Sequence, residues 1–233
     1  MTTQMNTTWQ ALRGRAQRVY RRIWQTQDPG ALILELLADL RPVRNHRLVF
    51  VETGCGASTL ALVEAARRTG AHIYTCELDP HKIDRLRERT RDALTEVTFL
   101  AGDSLASLAQ IVARHGRVDF ALLDSAPSAT QTLREFLLLE PRFGPGSRVL
   151  IANAALPGAR LRRRPCRKGK LVVPYLLASD FWTVTAHPRA GDSMVGAVLD
   201  AIGAHSDAGY EDPGYIDHWR AAFDRGLRPV RVS

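Results

Sequence analysis

Short apolar runs alternate with amphipathic segments along most of the chain, and several runs end at an acid or a glycine. Apolar runs of strand length and apolar positions at helical spacing are the signals used to assign the elements. They predict strands at 47–52, 72–77, 96–100, 118–123 and 147–152, and helices at 57–69, 80–93, 104–115 and 128–140. A turn is predicted at 144–146. Strands that alternate with helices favour an α/β fold with a parallel sheet covered on both faces.

The two ends of the chain extend this pattern. Apolar residues at three- and four-residue spacing predict an amphipathic N-terminal helix: Trp9, Leu12, Ala16, Val19 and Ile23. A second, strongly apolar helix is predicted at 31–40, after Asp28 and before Pro42. The segments 181–186 and 194–199 predict a closing hairpin. We therefore divide the chain into an N-terminal helical segment (1–44), a sheet domain (45–200) and a C-terminal extension (201–233).

The first predicted strand leads into a loop rich in small residues, Glu52-Thr53-Gly54-Cys55-Gly56, and Ser58 follows at the start of a helix. A strand, a tight turn and a helix N-terminus form a cradle for nucleotide-like ligands. Gly54 and Gly56 are expected to supply permissive backbone angles and to let a ligand approach the chain. The carboxylate of Glu52 would repel a diphosphate but suits an amine or a sulfonium. The loop therefore predicts a cationic nucleoside ligand.

Acids recur at the carboxyl ends of the next predicted strands, namely Glu77, Asp103 and Asp124. Ligands of open α/β sheets bind at this edge, and Glu77 follows Gly56 at about the spacing of a ribose-binding acid. A general preference of acids for strand ends explains one or two of these positions, but not the whole set. A dinucleotide dehydrogenase fits less well, because Thr59 occupies the third glycine position of its fingerprint.

The segments VFVETGCGASTL, IYTCELDPHKIDRLRER, VTFLAGDSLASL and VDFALLDSAPSATQTLREF resemble the class I S-adenosylmethionine-dependent methyltransferases, in that family's order. The resemblance covers about residues 45 to 200 and is nearest to small-molecule O-methyltransferases. It implies a Rossmann-like, doubly wound, seven-stranded and mostly parallel sheet with a C-terminal antiparallel hairpin. It implies S-adenosyl-L-methionine as cofactor, bound by Glu52, Thr53, Gly54, Gly56, Ser58, Glu77, Leu78, Asp103, Ser104 and Asp124.

The residues expected near the methyl acceptor differ from those of the enzymes that this sequence resembles. Catechol-type O-methyltransferases hold a divalent cation with an Asp after strand four and an Asp-Asn pair after strand five. Asp124 and Asn153 match the outer ligands, but Ala152 replaces the middle carboxylate. Since hard cations require several oxygen ligands, we predict no catalytic metal. Asp124 is then the candidate for proton removal or positioning, with Asn153 either its polar partner or a turn cap. His187 is either a base or a surface residue.

The formal charge of +8 is concentrated in two places. Five arginines and no acid lie in residues 1–27, and seven of the eleven residues at 160–170 are basic, without which the charge falls to +1. The second block either recruits an anionic partner, such as an anionic small molecule or, less favoured, nucleic acid, or forms a solvated loop.

Other features of the sequence concern location and assembly. Its apolar runs are too short to span a membrane, and the first residues lack the layout of a signal peptide. Cys55, Cys76 and Cys166 follow no metal spacing and are expected to be reduced. We therefore expect a cytoplasmic protein without a membrane partner. Aromatic residues after position 200 either pack on the chain itself or contribute to a homodimer.

Together these features predict a methyltransferase that uses S-adenosylmethionine and acts on a small or medium-sized acceptor, at oxygen. Two alternatives remain open at this point. The basic segments suit an RNA methyltransferase, and the sparse acid and base groups after Asp124 suit a catalytically silent, cofactor-binding scaffold.

Overall fold

The computed structural model describes residues 28–42, 46–89, 95–154, 167–179, 181–187 and 194–199. The strands are β1 (Val49–Thr53), β2 (His72–Glu77), β3 (Val97–Ala101), β4 (Val118–Leu123), β5 (Phe143–Ile151), β6 (Trp182–His187) and β7 (Met194–Leu199). The helices are α1 (Pro29–Leu37), α2 (Ala57–Thr69), α3 (Pro80–Arg89), α4 (Ser104–Arg114), α5 (Ala129–Leu139) and α6 (Gly169–Ala178). The alternation read from the sequence is thus confirmed.

The strands form one seven-stranded sheet in the order β3-β2-β1-β4-β5-β7-β6. Neighbouring strands from β3 to β5 are parallel, whereas β7 is antiparallel to both β5 and β6. The predicted fold class, including the antiparallel C-terminal hairpin, is confirmed. The order reverses at β1, whose neighbours are β2 and β4, and such a reversal is where α/β sheets bind ligands.

Apolar side chains cover both faces of the sheet. Every residue of β1 and β4 is buried, as expected for central parallel strands. Phe50 belongs to the apolar cluster on one face, which includes Leu32 of α1 and Leu62 of α2. Val51 belongs to the cluster on the other face, which extends to Phe136 of α5 and Trp182 of β6. Because both faces are covered, polar groups that a ligand can reach are expected at the ends of the central strands.

The predicted turn at 144–146 is wrong, because these residues belong to β5. The pairing of β4 with β5 shifts register between Val118 and Phe120, so β5 accommodates extra residues in an irregularity. The Ser147 hydroxyl stabilises it by donating to the Val118 carbonyl (2.7 Å) and accepting from Gly144 N–H (3.0 Å). Glycine and proline here therefore mark a bulge inside a strand.

The predicted N-terminal helix, most of the basic segment and the C-terminal extension lie outside the described residues. The division into 1–44, 45–200 and 201–233 stays a prediction. In the part of the chain that the structure describes, no helix combines the length and apolar character needed to cross a membrane.

Candidate functional site

The carboxyl ends of the central strands meet at one edge of the sheet. Thr53 pairs with Cys76 of β2 and with Leu123 of β4, so the segments that follow β1, β2 and β4 begin side by side. Backbone hydrogen bonds extend the pairing beyond the strands, from Gly54 N–H to the Cys76 carbonyl (2.8 Å) and from Asp124 N–H to the Thr53 carbonyl (2.9 Å). The predicted loop and two of the predicted acids are thus brought together.

The two loop glycines have different physical roles. Gly54 has a φ of 81°, and a Cβ placed on it would overlap the backbone carbonyl oxygen of Asp124. Gly56 has a φ of 174°, an extended backbone that other residues adopt, so the expectation that it supplies a permissive angle is wrong. A Cβ on Gly56 would meet no atom of the described residues within 4 Å. Gly54 therefore serves the fold, and Gly56 leaves open space beside the loop.

Glu52 is fully buried beneath this loop. Its carboxylate accepts hydrogen bonds from the hydroxyl groups of Ser58 (2.6 Å), Thr59 (2.7 Å) and Thr75 (3.1 Å). Thr59 Oγ1 in turn accepts from Gly56 N–H (3.0 Å), so the residue at the third glycine position ties the loop to Glu52. Burial raises the pKa of Glu52 to about 7, although the three hydroxyl groups oppose this. The cofactor-binding role predicted for Glu52 remains a prediction.

The raised pKa of Glu52 makes stability depend on pH. Between the usual carboxyl pKa and about 7, the folded protein keeps a proton that the unfolded chain has lost. This stabilisation is complete below the unfolded pKa and disappears as the pH rises through about 7. We expect roughly 3 kcal/mol of unfolding free energy to be lost between about pH 5 and pH 8 in the wild type, and not in Glu52→Gln. Denaturant unfolding at both pH values measures this, and equal pH dependence in the two proteins would contradict it.

Glu77 connects the end of β2 to the glycine loop. Its carboxylate accepts from Cys55 N–H (3.0 Å) and Asp79 N–H (2.9 Å), and Lys82 Nζ lies 3.4 Å away. Burial favours the neutral acid, but the two backbone hydrogen bonds, the Cys55 thiol and the Lys82 ammonium together outweigh it and hold the pKa of Glu77 below its usual value. Glu77 is therefore an anion that also shapes the loop. The neighbouring Leu78 side chain is 75% exposed at the same edge.

The thiols near the loop are free in the described residues and are poor nucleophiles. Burial raises the pKa of Cys55 to about 12, and the nearby Glu77 carboxylate adds to the effect. Burial also raises the pKa of Cys76 to about 12. Since the thiolate is the reactive form, neither residue is suited to covalent chemistry.

A second buried carboxylate, Glu135 of α5, lies under the other half of the site. It accepts from the hydroxyl groups of Thr53 (3.0 Å), Ser104 (2.5 Å) and Ser125 (2.5 Å). Gln131 Nε2 donates to Ser104 (2.9 Å). Glu135 thus fixes the chain after β1, β3 and β4 through one side chain.

Sequence reasoning missed Glu135, although a signal for it exists. The buried face of α5 contains Thr132, Glu135, Phe136 and Leu139, at the spacing of one helical stripe. A carboxylate within an apolar stripe is rarely buried without partners. The same network turns Thr53 and Ser104 away from solvent, while Asp103 caps α4 by accepting from Ala106 N–H (3.0 Å).

Asp124, after β4, forms an ion pair that the sequence did not predict. Lys168 Nζ lies 2.5 Å from Asp124 Oδ1 and donates to the Ser125 carbonyl (3.0 Å). The Lys168 side chain is 5% exposed and that of Asp124 is 37% exposed. Lys168 belongs to the basic segment, so for this residue the solvated-loop interpretation is wrong.

Asn153 lies in the turn that follows β5, close to Arg167 and Lys168. It has a φ of 53°, in the left-handed region that asparagine tolerates better than most residues, and Lys168 N–H donates to its carbonyl (3.3 Å). Its side-chain oxygen accepts from Arg167 Nη1 (3.3 Å). Asn153 therefore turns the chain, as the turn interpretation expects, and its side chain contacts Arg167. Its role as a polar partner of Asp124 stays a prediction.

The donor set at this edge does not fit a divalent cation. The two residues that match metal ligands, Asp124 and Asn153, each interact with a basic side chain, Lys168 and Arg167 respectively. Ala152 contributes no ligand atom between them. Among the described residues, no group of three or more His, Cys, Asp or Glu side chains is arranged to hold a metal. A metal ion bound here would be repelled by the two positive side chains, Lys168 and Arg167.

His187 lies at the end of β6, which is three strands from β4 in the sheet. With strands about 4.8 Å apart, this is roughly 14 Å across the sheet. Its ring lies over Gly196, where an added Cβ would be 3.1 Å from Nε2. Burial lowers the pKa of His187. This placement does not bring His187 to Asp124.

Comparisons with known proteins agree with this geometry. Residues 51–154 match a family model described as a methyltransferase domain. This segment contains the glycine loop, Glu77, Asp124 and Glu135. A search of curated proteins finds no match.

Solved structures share the fold at low sequence identity. A protein from Corynebacterium glutamicum is 14% identical, with a TM-score of 0.59 over 79% of this chain and 88% of that one. An O-methyltransferase from Bacillus cereus in complex with S-adenosylhomocysteine is 16% identical, with a TM-score of 0.53 over 74% and 79%. An S-adenosylhomocysteine-bound methyltransferase from Podospora anserina is 20% identical, with a TM-score of 0.53 over 74% and 78%.

The family match and the fold agree with the resemblance found in the sequence, and they confirm it for the central part of the chain. Residues 51–154 therefore match a methyltransferase domain, in a chain with the fold of the class I S-adenosylmethionine-dependent methyltransferases.

Proposed function

We propose that this protein transfers a methyl group from S-adenosylmethionine to an oxygen atom of a small or medium-sized acceptor, without a metal ion. The observation that carries the proposal is the meeting of the glycine loop, Glu77 and Asp124 at the carboxyl edge of the sheet, within a methyltransferase domain. Methyltransferases of the same fold from two other organisms contain bound S-adenosylhomocysteine, the product form of this cofactor.

The residues at this edge suit the proposed cofactor. The open space at Gly56 admits a ligand close to the backbone. Two backbone N–H groups and Lys82 Nζ hold the Glu77 carboxylate in place beside the loop, where an ionised carboxylate is a strong acceptor for a ribose hydroxyl group. The exposed Leu78 offers an apolar surface for an adenine ring. Of the cofactor-binding set predicted from the sequence, we assign Gly56, Glu77 and Leu78 to these roles, whereas the buried Glu52 and the closely packed Gly54 support the loop.

When bound, the cofactor supplies a methyl group on a sulfonium, which ends as a neutral thioether after the transfer. The protein must hold the acceptor oxygen in line with that methyl group and accept the hydroxyl proton. The Asp124 side chain is partly exposed beside the glycine loop, so it is positioned to face an acceptor. Asp124 is the proposed catalytic residue, and Asn153 is its neighbour at the end of β5.

The side chains near Asp124 are poor ligands for a metal ion. A hard cation is held by several oxygen ligands, mostly carboxylates. Here one candidate carboxylate is paired with Lys168, and the position between the two candidate ligands is an alanine.

We expect calorimetry to show that S-adenosylhomocysteine binds and that Glu77→Ala weakens its binding by about 2 kcal/mol, the size of hydrogen bonds to a charged group. The substitution removes the ribose acceptor and also releases Cys55 N–H in the loop. Glu64→Ala is the matched control, because Glu64 pairs with Arg68 on the exposed surface of α2. Its affinity should equal that of the wild type.

Two outcomes would contradict the proposal. If the wild type binds NADH and not S-adenosylhomocysteine, the cofactor assignment is wrong. If Glu77→Ala and Glu64→Ala retain the same affinity, Glu77 has no part in binding.

A further inference from the structure

A buried lysine beside a partly exposed aspartate is the feature of this edge that the proposed cofactor does not explain. A lysine side chain is rarely buried unless it is paired, because desolvation disfavours the ammonium. Lys168 is 5% exposed, yet its partner Asp124 is 37% exposed. The charge is therefore held inward, at the place where an acceptor has to lie.

The backbone around Lys168 fixes this position. Lys168 N–H donates to the Asn153 carbonyl (3.3 Å). The next residue is Gly169, the first of α6, and a Cβ on it would lie 2.8 Å from the Cβ of Ala154 and overlap that residue's carbonyl oxygen. The lack of a side chain at 169 thus lets α6 begin against the chain that follows β5. Lys168 is held by packing from its main chain, not by its ion pair alone.

The pair retains capacity for a ligand. An ammonium has three donors, and in the described part of the chain Asp124 and Ser125 accept two of them. The ion pair uses Oδ1 of Asp124, and Oδ2 has no hydrogen bond from the described residues. One N–H donor and one carboxylate oxygen are therefore available side by side.

We propose that Lys168 binds the acceptor oxygen as its negative charge develops, and that the site takes acceptors with an acidic hydroxyl, such as a phenol or an enol. This inference rests on the proposed function. The hydroxyl proton passes to Asp124 Oδ2 and later to water, while the electron pair stays on the acceptor oxygen facing the ammonium.

The acidity of the acceptor follows from the strength of the base. A carboxylate is a weak base, so it takes a proton well only from a hydroxyl that is itself acidic. A positive charge within about 4–6 Å lowers the pKa of such a hydroxyl by roughly 1–3 units. Alkyl alcohols are so weakly acidic that this lowering of the pKa would not let a carboxylate take their proton.

The test uses 4-nitrophenol as an acceptor analogue, because its absorbance reports its own ionisation. It is titrated with pH on the complex with S-adenosylhomocysteine, in EDTA, for the wild type, Lys168→Met, Lys168→Arg and the control Lys170→Met. Lys170 is an exposed lysine of the same helix. Among the described residues, the other charged groups near the pair are Arg167, Glu135 and Glu52. These groups do not absorb at the wavelength of nitrophenolate, so their titration does not contribute to the measured absorbance.

In the wild type and Lys170→Met, we expect the ionisation constant of bound nitrophenol to rise about tenfold relative to water. Lys168→Arg should retain most of this effect, and Lys168→Met should lose it while still binding S-adenosylhomocysteine. The inference is overturned if nitrophenol does not bind the wild-type complex, if its ionisation there equals that in water, or if a folded Lys168→Met behaves as the wild type. If Lys168→Met does not fold, the wild type and Lys168→Arg decide the question.

Failure of this inference differs from failure of the proposed function. If the wild type does not bind S-adenosylhomocysteine, the proposed function is wrong. If it binds this ligand but does not promote nitrophenol ionisation, only the role of Lys168 and the acceptor class are wrong.

Discussion

Gly54→Ala is expected to lower the free energy of unfolding by about 3 kcal/mol, from the left-handed backbone and from overpacking. Gly54 has a φ of 81°, which an alanine adopts only with strain. Its added methyl group would also overlap the Asp124 carbonyl oxygen and lie 2.9 Å from the Asp124 carbonyl carbon. Neither neighbour is a flexible side chain, so the ends of β1 and β4 must separate. Denaturant unfolding measures the loss.

Gly56→Ala is the matched control for this experiment. Its backbone is extended and the space around its Cβ position is open, so its unfolding free energy should be close to that of the wild type. The same substitution should weaken the binding of S-adenosylhomocysteine, because the methyl group fills space proposed for the ligand. Equal unfolding free energies for Gly54→Ala and the wild type would contradict the structural role of Gly54.

Glu135→Ala is expected to cost about 4 kcal/mol of unfolding free energy, because three hydroxyl groups each lose an acceptor at about 1–3 kcal/mol. The side chain is fully buried and accepts from Thr53, Ser104 and Ser125, which would all lose their acceptor. Because these residues follow three different strands, the substitution should also weaken S-adenosylhomocysteine binding. Chemical denaturation and calorimetry measure the two effects.

Glu135→Gln distinguishes the loss of the carboxylate's hydrogen bonds from the loss of side-chain volume in Glu135→Ala. It keeps the shape and one acceptor oxygen, so we expect a loss of about 1–2 kcal/mol. Glu64→Ala, at an exposed ion pair, should change stability by less than about 1 kcal/mol. A Glu135→Ala protein as stable as Glu64→Ala would show that the network does not hold the site together.

Much of the cofactor side could be predicted from local sequence. The loop from Glu52 to Gly56 and the acid Glu77 occupy ends of strands that periodicity alone identifies, and parallel strands place such ends at one edge. The assignment of a turn at 144–146 failed for a local reason. Glycine and proline signal both turns and bulges, and the pairing of β4 with β5 decided between them.

The supporting groups could be predicted only in part. Glu135 lies on an apolar helical stripe and is detectable as an anomaly, but its partners come from positions 53, 104 and 125. Lys168 gave no signal of its own. In the sequence it is one of seven basic residues within 160–170, and nothing local separates it from an exposed neighbour such as Lys170.

The sequence by itself determined the order of strands and helices, the glycine loop and the line of acids, because periodicity and strand-end chemistry are written locally. The tertiary structure decided which of these groups are accessible at the edge of the sheet and which are buried beneath it. It placed Glu52 and Glu135 beneath the site, made Gly54 a packing residue, and turned Lys168 inward onto Asp124. These outcomes depend on contacts between residues far apart in the chain, where burial and partner identity, not residue type, determine charge and role.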